Sequence, residues 1–218
     1  MTGVQTCALP IYQYRDSIST GGGCGFLISP VATLTVNPAP VVTISAAPVT
    51  KLFPGLTTTL RATVAPNAAA TYQWFRDGVA VTGATTSTYL VNIDRLGRYT
   101  VAVTDVNSCA SAAGASTPAS IAITDSVNTA RLFIYPSPNT GQFQVRHYTN
   151  LGDGSPVPAA VNVYDEKGSL VFNQAYRIGG GYQPMNVTIS PSHGRGIYRV
   201  DLVDTRGGRI KTGTVIIF

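Results

Sequence analysis

Ile134-Tyr135-Pro136-Ser137-Pro138-Asn139-Thr140-Gly141-Gln142-Phe143 opens the C-terminal region of this chain, and its punctuation sets the pattern for the rest. Before it, Leu132 to Tyr135 is a short apolar run; from Phe143 onward, apolar and polar residues alternate again. Each proline fixes φ and withholds a backbone donor, so no strand passes through them. Asn139-Thr140-Gly141 supplies a turn, with Gly141 free to take positive φ. The stretch reads as a rigid corner between two short strands.

The same grammar extends along all 218 residues. Charged residues make up 11% of the chain, against about a quarter in ordinary soluble domains. Gly, Thr, Ser, Ala and Pro take their place, and no stretch sustains a helical period. The 44% of hydrophobic residues is enough to fill cores, which excludes wholesale disorder. These features predict an all-β chain of two small β-sandwich domains in tandem.

Several function classes fall away on composition. The net charge of +5 is spread thinly: Val41 to Ile123 holds five Lys/Arg and three Asp/Glu, Ala130 to the end nine and five. There is no basic run with interleaved aromatics, so no nucleic-acid partner is expected. No apolar stretch approaches the roughly 20 residues of a membrane-spanning helix. Cys7, Cys24 and Cys109 lack metal-ligand spacing, and nothing in that spacing decides whether Cys24 pairs with Cys109. His147 and His193 are the only histidines, and His193 lies in a Pro-Ser-His-Gly loop. No nucleophile elbow, carboxylate pair or phosphate loop stands out. Asp94 and Asp105 flank one strand, but without the dense oxygen-ligand spacing of a calcium loop. The expectation is a chain that is not an enzyme, with no catalytic residue, no metal and no cofactor.

Residues 1–11, MTGVQTCALPI, have neither strand nor helix periodicity and lack the layout of a signal peptide. They resemble the conceptual translation of a sequencing adapter, which implies an assembled reading frame cut at its 5′ end. Residues 12–37 then read as the tail of a truncated upstream sandwich. There, Gly23-Cys24-Gly25 followed by Val31–Val36 parallels Asn107-Ser108-Cys109 followed by Ala119–Thr124. After the stiff Asn37-Pro38-Ala39-Pro40, residues 38–124 offer seven strand-like runs. Among their turns is Asp77-Gly78, a strong hairpin signal.

Trp74 lies fourteen residues after Leu60, and Tyr99 two before Val101. This spacing resembles the immunoglobulin-like pattern of a strand-C Trp, with a Tyr two positions before the second cysteine. Leu60 and Val101 stand where the cysteines would be. The resemblance implies a core of Leu60, Trp74, Tyr99 and Val101 without the inter-sheet disulfide.

Residues 125–130 read as a polar linker, and 131–218 as a second sandwich of seven strands. Tyr135-Pro136-Ser137-Pro138-Asn139-Thr140-Gly141-Gln142-Phe143 resembles the opening motif of the type A C-terminal sorting domain of the type IX secretion system in Bacteroidota. Val161 to Gly168 resembles that family's central hairpin, Gly196-Ile197-Tyr198 its Gly-x-Tyr strand, and Lys211 with Thr214–Ile217 its closing strand. Ser137 and the terminal Phe218 depart from the pattern.

The resemblance implies a sorting signal carried by Tyr135, Pro136, Pro138, Asn139, Gly141, Phe143, Gly168, Gly196, Tyr198 and Lys211. It further implies the type IX machinery and a sortase-like peptidase as partners. Processing would fall near Asp125–Arg131, and the product would be secreted or linked to surface lipopolysaccharide. The first sandwich would act as a spacer or adhesive module toward surface proteins or glycans. Two alternatives stay open: the accessory tail of a secreted hydrolase whose catalytic domain is missing, or a carbohydrate-binding module using Tyr72, Phe75 or Tyr89.

Overall fold

The computed structural model describes residues 12–19, 26–34, 37–66, 68–111, 119–152 and 155–218. Regular structure among them is β-strand throughout, apart from two single-turn 3-10 segments at Ile93–Arg95 and Pro191–His193. The fold is all-β, as composition predicts. The chain divides into two compact units: Met1–Pro48 with Thr59–Leu90 and Gly97–Ala122, and Val49–Thr58 with Val91–Leu96 and Ile123–Phe218.

In the first unit, β1 (Tyr12–Tyr14) pairs with β4 (Ala32–Leu34), and β2 (Ser17–Ser19) with β3 (Phe26–Ile28), both antiparallel. Almost all of their residues are exposed. Residues 1–11, including Cys7, and Gly23-Cys24-Gly25 lie outside the described residues.

Eight strands follow in chain order, of which β6 and the last residues of β12 fall within the ranges of the second unit: β5 (Val41–Ala47), β6 (Lys51–Leu52), β7 (Thr58–Ala65), β8 (Ala69–Arg76), β9 (Val79–Ala80), β10 (Thr88–Val91), β11 (Gly97–Asp105) and β12 (Ser120–Asp125). They form a three-stranded sheet in the order β10-β7-β5 and a five-stranded sheet in the order β6-β12-β11-β8-β9. The sequence predicts seven of these eight. It misses β6, whose two residues have no period to read. Asp77 and Gly78 both take positive φ, as a tight hairpin requires.

The four residues that the sequence places in the core of the first unit are all buried. Val101 lies opposite Trp74 across β11 and β8; Leu60, Trp74 and Tyr99 are fully buried, and Val101 nearly so. Trp74 donates its indole N–H to the Thr86 carbonyl at 2.9 Å, which satisfies its one polar atom. Tyr89 stacks on Trp74 and tilts against Tyr99, with centroids 6.4 and 5.7 Å apart. Cys109 is buried and disulfide-bonded.

The second unit carries β13 (Phe133–Tyr135), β14 (Gln142–Arg146), β15 (Val157–Tyr164), β16 (Leu170–Ile178), β17 (Met185–Thr188), β18 (Gly196–Asp204) and β19 (Arg209–Ile217). All seven match strands expected from the sequence. They form sheets β13-β14-β17 and β16-β15-β18-β19. Between the sheets lie Val145, Val161, Val163, Val187, Val200 and Val215, each fully or almost fully buried. Period-2 burial along β15 is the cause, while on β18 the run Val200–Val203 is buried on both faces. β15 starts earlier than the sequence predicts and contains Pro158. That residue pairs only with Arg177 of β16, since pairing with β18 begins at Ala159. The missing proline N–H therefore breaks no second ladder.

Trp74→Ala should cost the first unit about 3–5 kcal/mol. Chemical denaturation should show an early first transition, with the unfolding of 131–218 little changed.

Candidate functional site

The corner predicted at 134–143 is built largely by one side chain. Asn139 is buried. Its Nδ2 donates to the Pro136 carbonyl at 2.9 Å, and its Oδ1 accepts from the Gly141 N–H at 2.6 Å. One amide thus closes both halves of the turn, as Asx chemistry allows. The Tyr135–Pro136 and Ser137–Pro138 peptide bonds are both cis.

Gly141 has φ +100°, and a Cβ there would stand 2.8 Å from the Ile189 carbonyl oxygen. Its own carbonyl accepts from the Ile189 N–H at 2.8 Å. Both the backbone conformation and the lack of space demand glycine. Phe143, the first core residue after the turn, pairs with Val187.

The corner also holds the end of the chain. The Asn139 N–H donates to the Ile216 carbonyl at 3.0 Å, and the Phe218 N–H donates to the Asn139 carbonyl at 2.9 Å. The Ile216 N–H reaches Ser137 Oγ at 3.2 Å. Asn139 and Ile217 form a parallel bridge. The opening motif and the closing strand β19 are therefore one hydrogen-bonded piece, although 79 residues separate Ser137 from Ile216.

The remaining motif residues lie elsewhere in the sandwich. Gly168 closes the β15–β16 turn, donating to the Asp165 carbonyl at 3.0 Å. A Cβ at Gly196 would approach Glu166 Oε1 to 3.0 Å, the oxygen that accepts from the Ile197 N–H. Tyr198 is buried and donates to the carbonyls of His193 and Gly194, both at 2.8 Å. Burial raises its pKa, and the Asp165 and Glu166 charges act in the same direction. Lys211 is half-buried on β19, opposite Leu202.

A second cluster in this unit carries no sequence signature. Arg146 on β14 is buried, and its guanidinium donates to Asp94 Oδ1 at 2.6 Å, Gln144 Oε1 at 3.0 Å and the Tyr182 carbonyl at 3.1 Å. It also lies over the Tyr135 ring, 5.6 Å from the centroid. Burial raises the Tyr135 pKa, partly offset by the Arg146 charge. Tyr182 packs edge-on to Phe133 and Tyr148 and donates its hydroxyl to the Ser126 carbonyl at 2.7 Å. Asp94 is thus an ion-pair partner. Asp105 Oδ1 accepts from the Asn107 and Cys109 N–H groups, capping its loop. Among the described residues no group of three or more His, Cys, Asp or Glu could hold a metal. Tyr72, Phe75 and Tyr89 are all half-buried.

His147 Nε2 donates to the Thr129 carbonyl at 3.2 Å. Burial holds its pKa below the usual range; the Thr129 carbonyl pulls it up and the Lys211 charge pushes it down.

No protein-family model matches this chain, and no curated protein does. Among solved structures, the human OSCAR ligand-binding domain is 15% identical, covering 83% of this chain and 98% of that one, with a TM-score of 0.30. Dimeric latent PorU from Porphyromonas gingivalis is 12% identical, covering 94% of this chain and 28% of that one, with a TM-score of 0.32. The FN1-FN3 domains of chicken CNTN1 are 13% identical, covering 96% and 78%, with a TM-score of 0.30.

Two outcomes are expected. Asn139→Ala leaves the buried Gly141 N–H without its acceptor and should cost about 1–3 kcal/mol; Gly141→Val, strained and clashing, should cost more. Both are read from denaturant midpoints of the second unit. Because the folded state favours neutral His147, its contribution is fully present above the unfolded pKa of about 6.5 and is lost as pH falls through it toward the lower folded value. Melting temperature should drop with acidification across that window, and His147→Gln should flatten the slope.

Proposed function

We propose that residues 131–218 are a C-terminal export signal read by a type IX secretion machinery. The chain would then be the C-terminal part of a secreted or cell-surface protein. The observation that carries this reading is the order of four motifs at the C-terminal end: the Tyr135–Phe143 corner, the Val161–Gly168 hairpin, the Gly196-Ile197-Tyr198 strand and Lys211 with the last strand. The hydrogen bonds from Ser137 and Asn139 to Ile216 and Phe218 support it further. Motif positions at opposite ends of the domain have a shared physical task, which is to close the sandwich at its final strand.

In this reading the first sandwich is a non-catalytic spacer or adhesive module with an immunoglobulin-like fold. The partners of the second are the secretion machinery and a sortase-like peptidase that trims the exported protein near Asp125–Arg131. In that stretch Val127, Thr129, Ala130 and Arg131 are exposed, as a processing segment needs. Surface lipopolysaccharide is the anchor expected after processing.

Fusing residues 125–218 behind a periplasmic reporter tests the proposal in a host with a working type IX system. The reporter should appear outside the cell or on its surface. Retention of a folded fusion in the periplasm would overturn it. Substitutions at exposed positions beside the corner, such as Thr140→Lys, separate direct recognition from folding: lost export with an unchanged melting temperature means that the surface itself is read.

A further inference from the structure

The outer face of sheet β13-β14-β17 carries a groove of about 400 Å3. Its polar lining comes from Tyr135, Gln142, Gln144, Asn186 and Thr188, with Pro136 at one end. Strand register explains the convergence. Tyr135, Gln144 and Asn186 lie in one row across the three strands, and Gln142 stands opposite Thr188 in the next. Period 2 sends Phe143, Val145 and Val187 into the core and turns these residues outward.

Two of the lining groups are held in place from behind. Arg146 has only donors, so its bond to Gln144 fixes the amide with Oε1 inward and leaves the Gln144 NH2 to donate into the groove. The same guanidinium supports the Tyr135 ring. Arg146 is itself held by Asp94 and the Tyr182 carbonyl, so the arrangement exists before any ligand arrives.

We propose that this groove binds a neutral oligosaccharide. Among the described residues no charged side chain lines it, which gives neither anionic nor cationic ligands a partner. Amides and a Thr hydroxyl offer donors and acceptors side by side, matching sugar hydroxyls that do both. Tyr135 and Pro136 supply the apolar wall against which the C–H face of a pyranose packs. The volume sits toward the low end of the roughly 300–1,000 Å3 of small-ligand sites. An extended peptide fits less well. The backbone of β14, which floors the groove, is already paired with β13 and β17 on its two sides, so a peptide lying in the groove finds no free ladder there. The site is made of second-unit residues rather than of Tyr72, Phe75 or Tyr89, and it stands independently of the export reading.

The test is an NMR titration of the 15N-labelled full chain with mannotetraose, cellotetraose and chitotetraose. Polygalacturonate and an uncharged Ser/Thr-rich peptide serve as contrasts. At least one neutral sugar should cause saturable shifts in the side-chain amide signals of Gln142, Gln144 and Asn186. Gln142→Ala with Asn186→Ala, both exposed positions, should weaken that binding by at least about ten-fold while backbone spectra stay folded. Absence of saturable shifts with all three sugars overturns the proposal. So does unchanged affinity in the folded double variant, or tighter binding of polygalacturonate or the peptide.

Discussion

The second sandwich depends on how its first corner and last strand are joined. Asn139 spends its side chain inside the turn and its main chain outside it. The amide bridges Pro136 and Gly141, while the backbone N–H and C=O bond to Ile216 and Phe218. Four hydrogen bonds therefore meet at one buried residue. Because that residue is withdrawn from water, an unmade bond there costs more than a made one contributes. The prolines fit the same logic, since they lack N–H groups that this crowded corner would otherwise have to satisfy.

On the outer side of the same sheet, Arg146 plays a comparable part. A buried guanidinium is tolerated only when its charge is paired and its donors are used. Asp94, Gln144 and the Tyr182 carbonyl meet most of that demand, and Nε has no hydrogen-bond partner among the described residues. Burial of such a group is weak support for stability. Its value here is positional, since it orients Tyr135 and Gln144 toward the groove.

Much of the fold was legible because it is local. Alternating residues in β14, β15, β18 and β19 mark one buried face, and Asp77-Gly78 or Asp165–Gly168 declare their turns. The immunoglobulin-like resemblance carried by Leu60, Trp74, Tyr99 and Val101 implies buried positions, and all four are buried. What stayed hidden is long-range. Nothing near Arg146 announces Asp94, 52 positions earlier, and nothing in Asn139 announces a strand almost eighty residues later. The Gly141 requirement was foreseen as positive φ, but the approach of Ile189 was not. β6 escaped because two residues form no pattern, and β15 reads short because proline normally demotes a strand.

We propose that the corner and the final strand, hydrogen-bonded to each other, act together as the export signal. Amide hydrogen exchange at Ile216 and Phe218, followed alongside export of the 125–218 fusion in wild type and Asn139→Ala, tests it most directly. The account predicts that slow exchange at both amides and export are lost together in the variant. Export at wild-type levels from a variant whose final strand exchanges freely would contradict it.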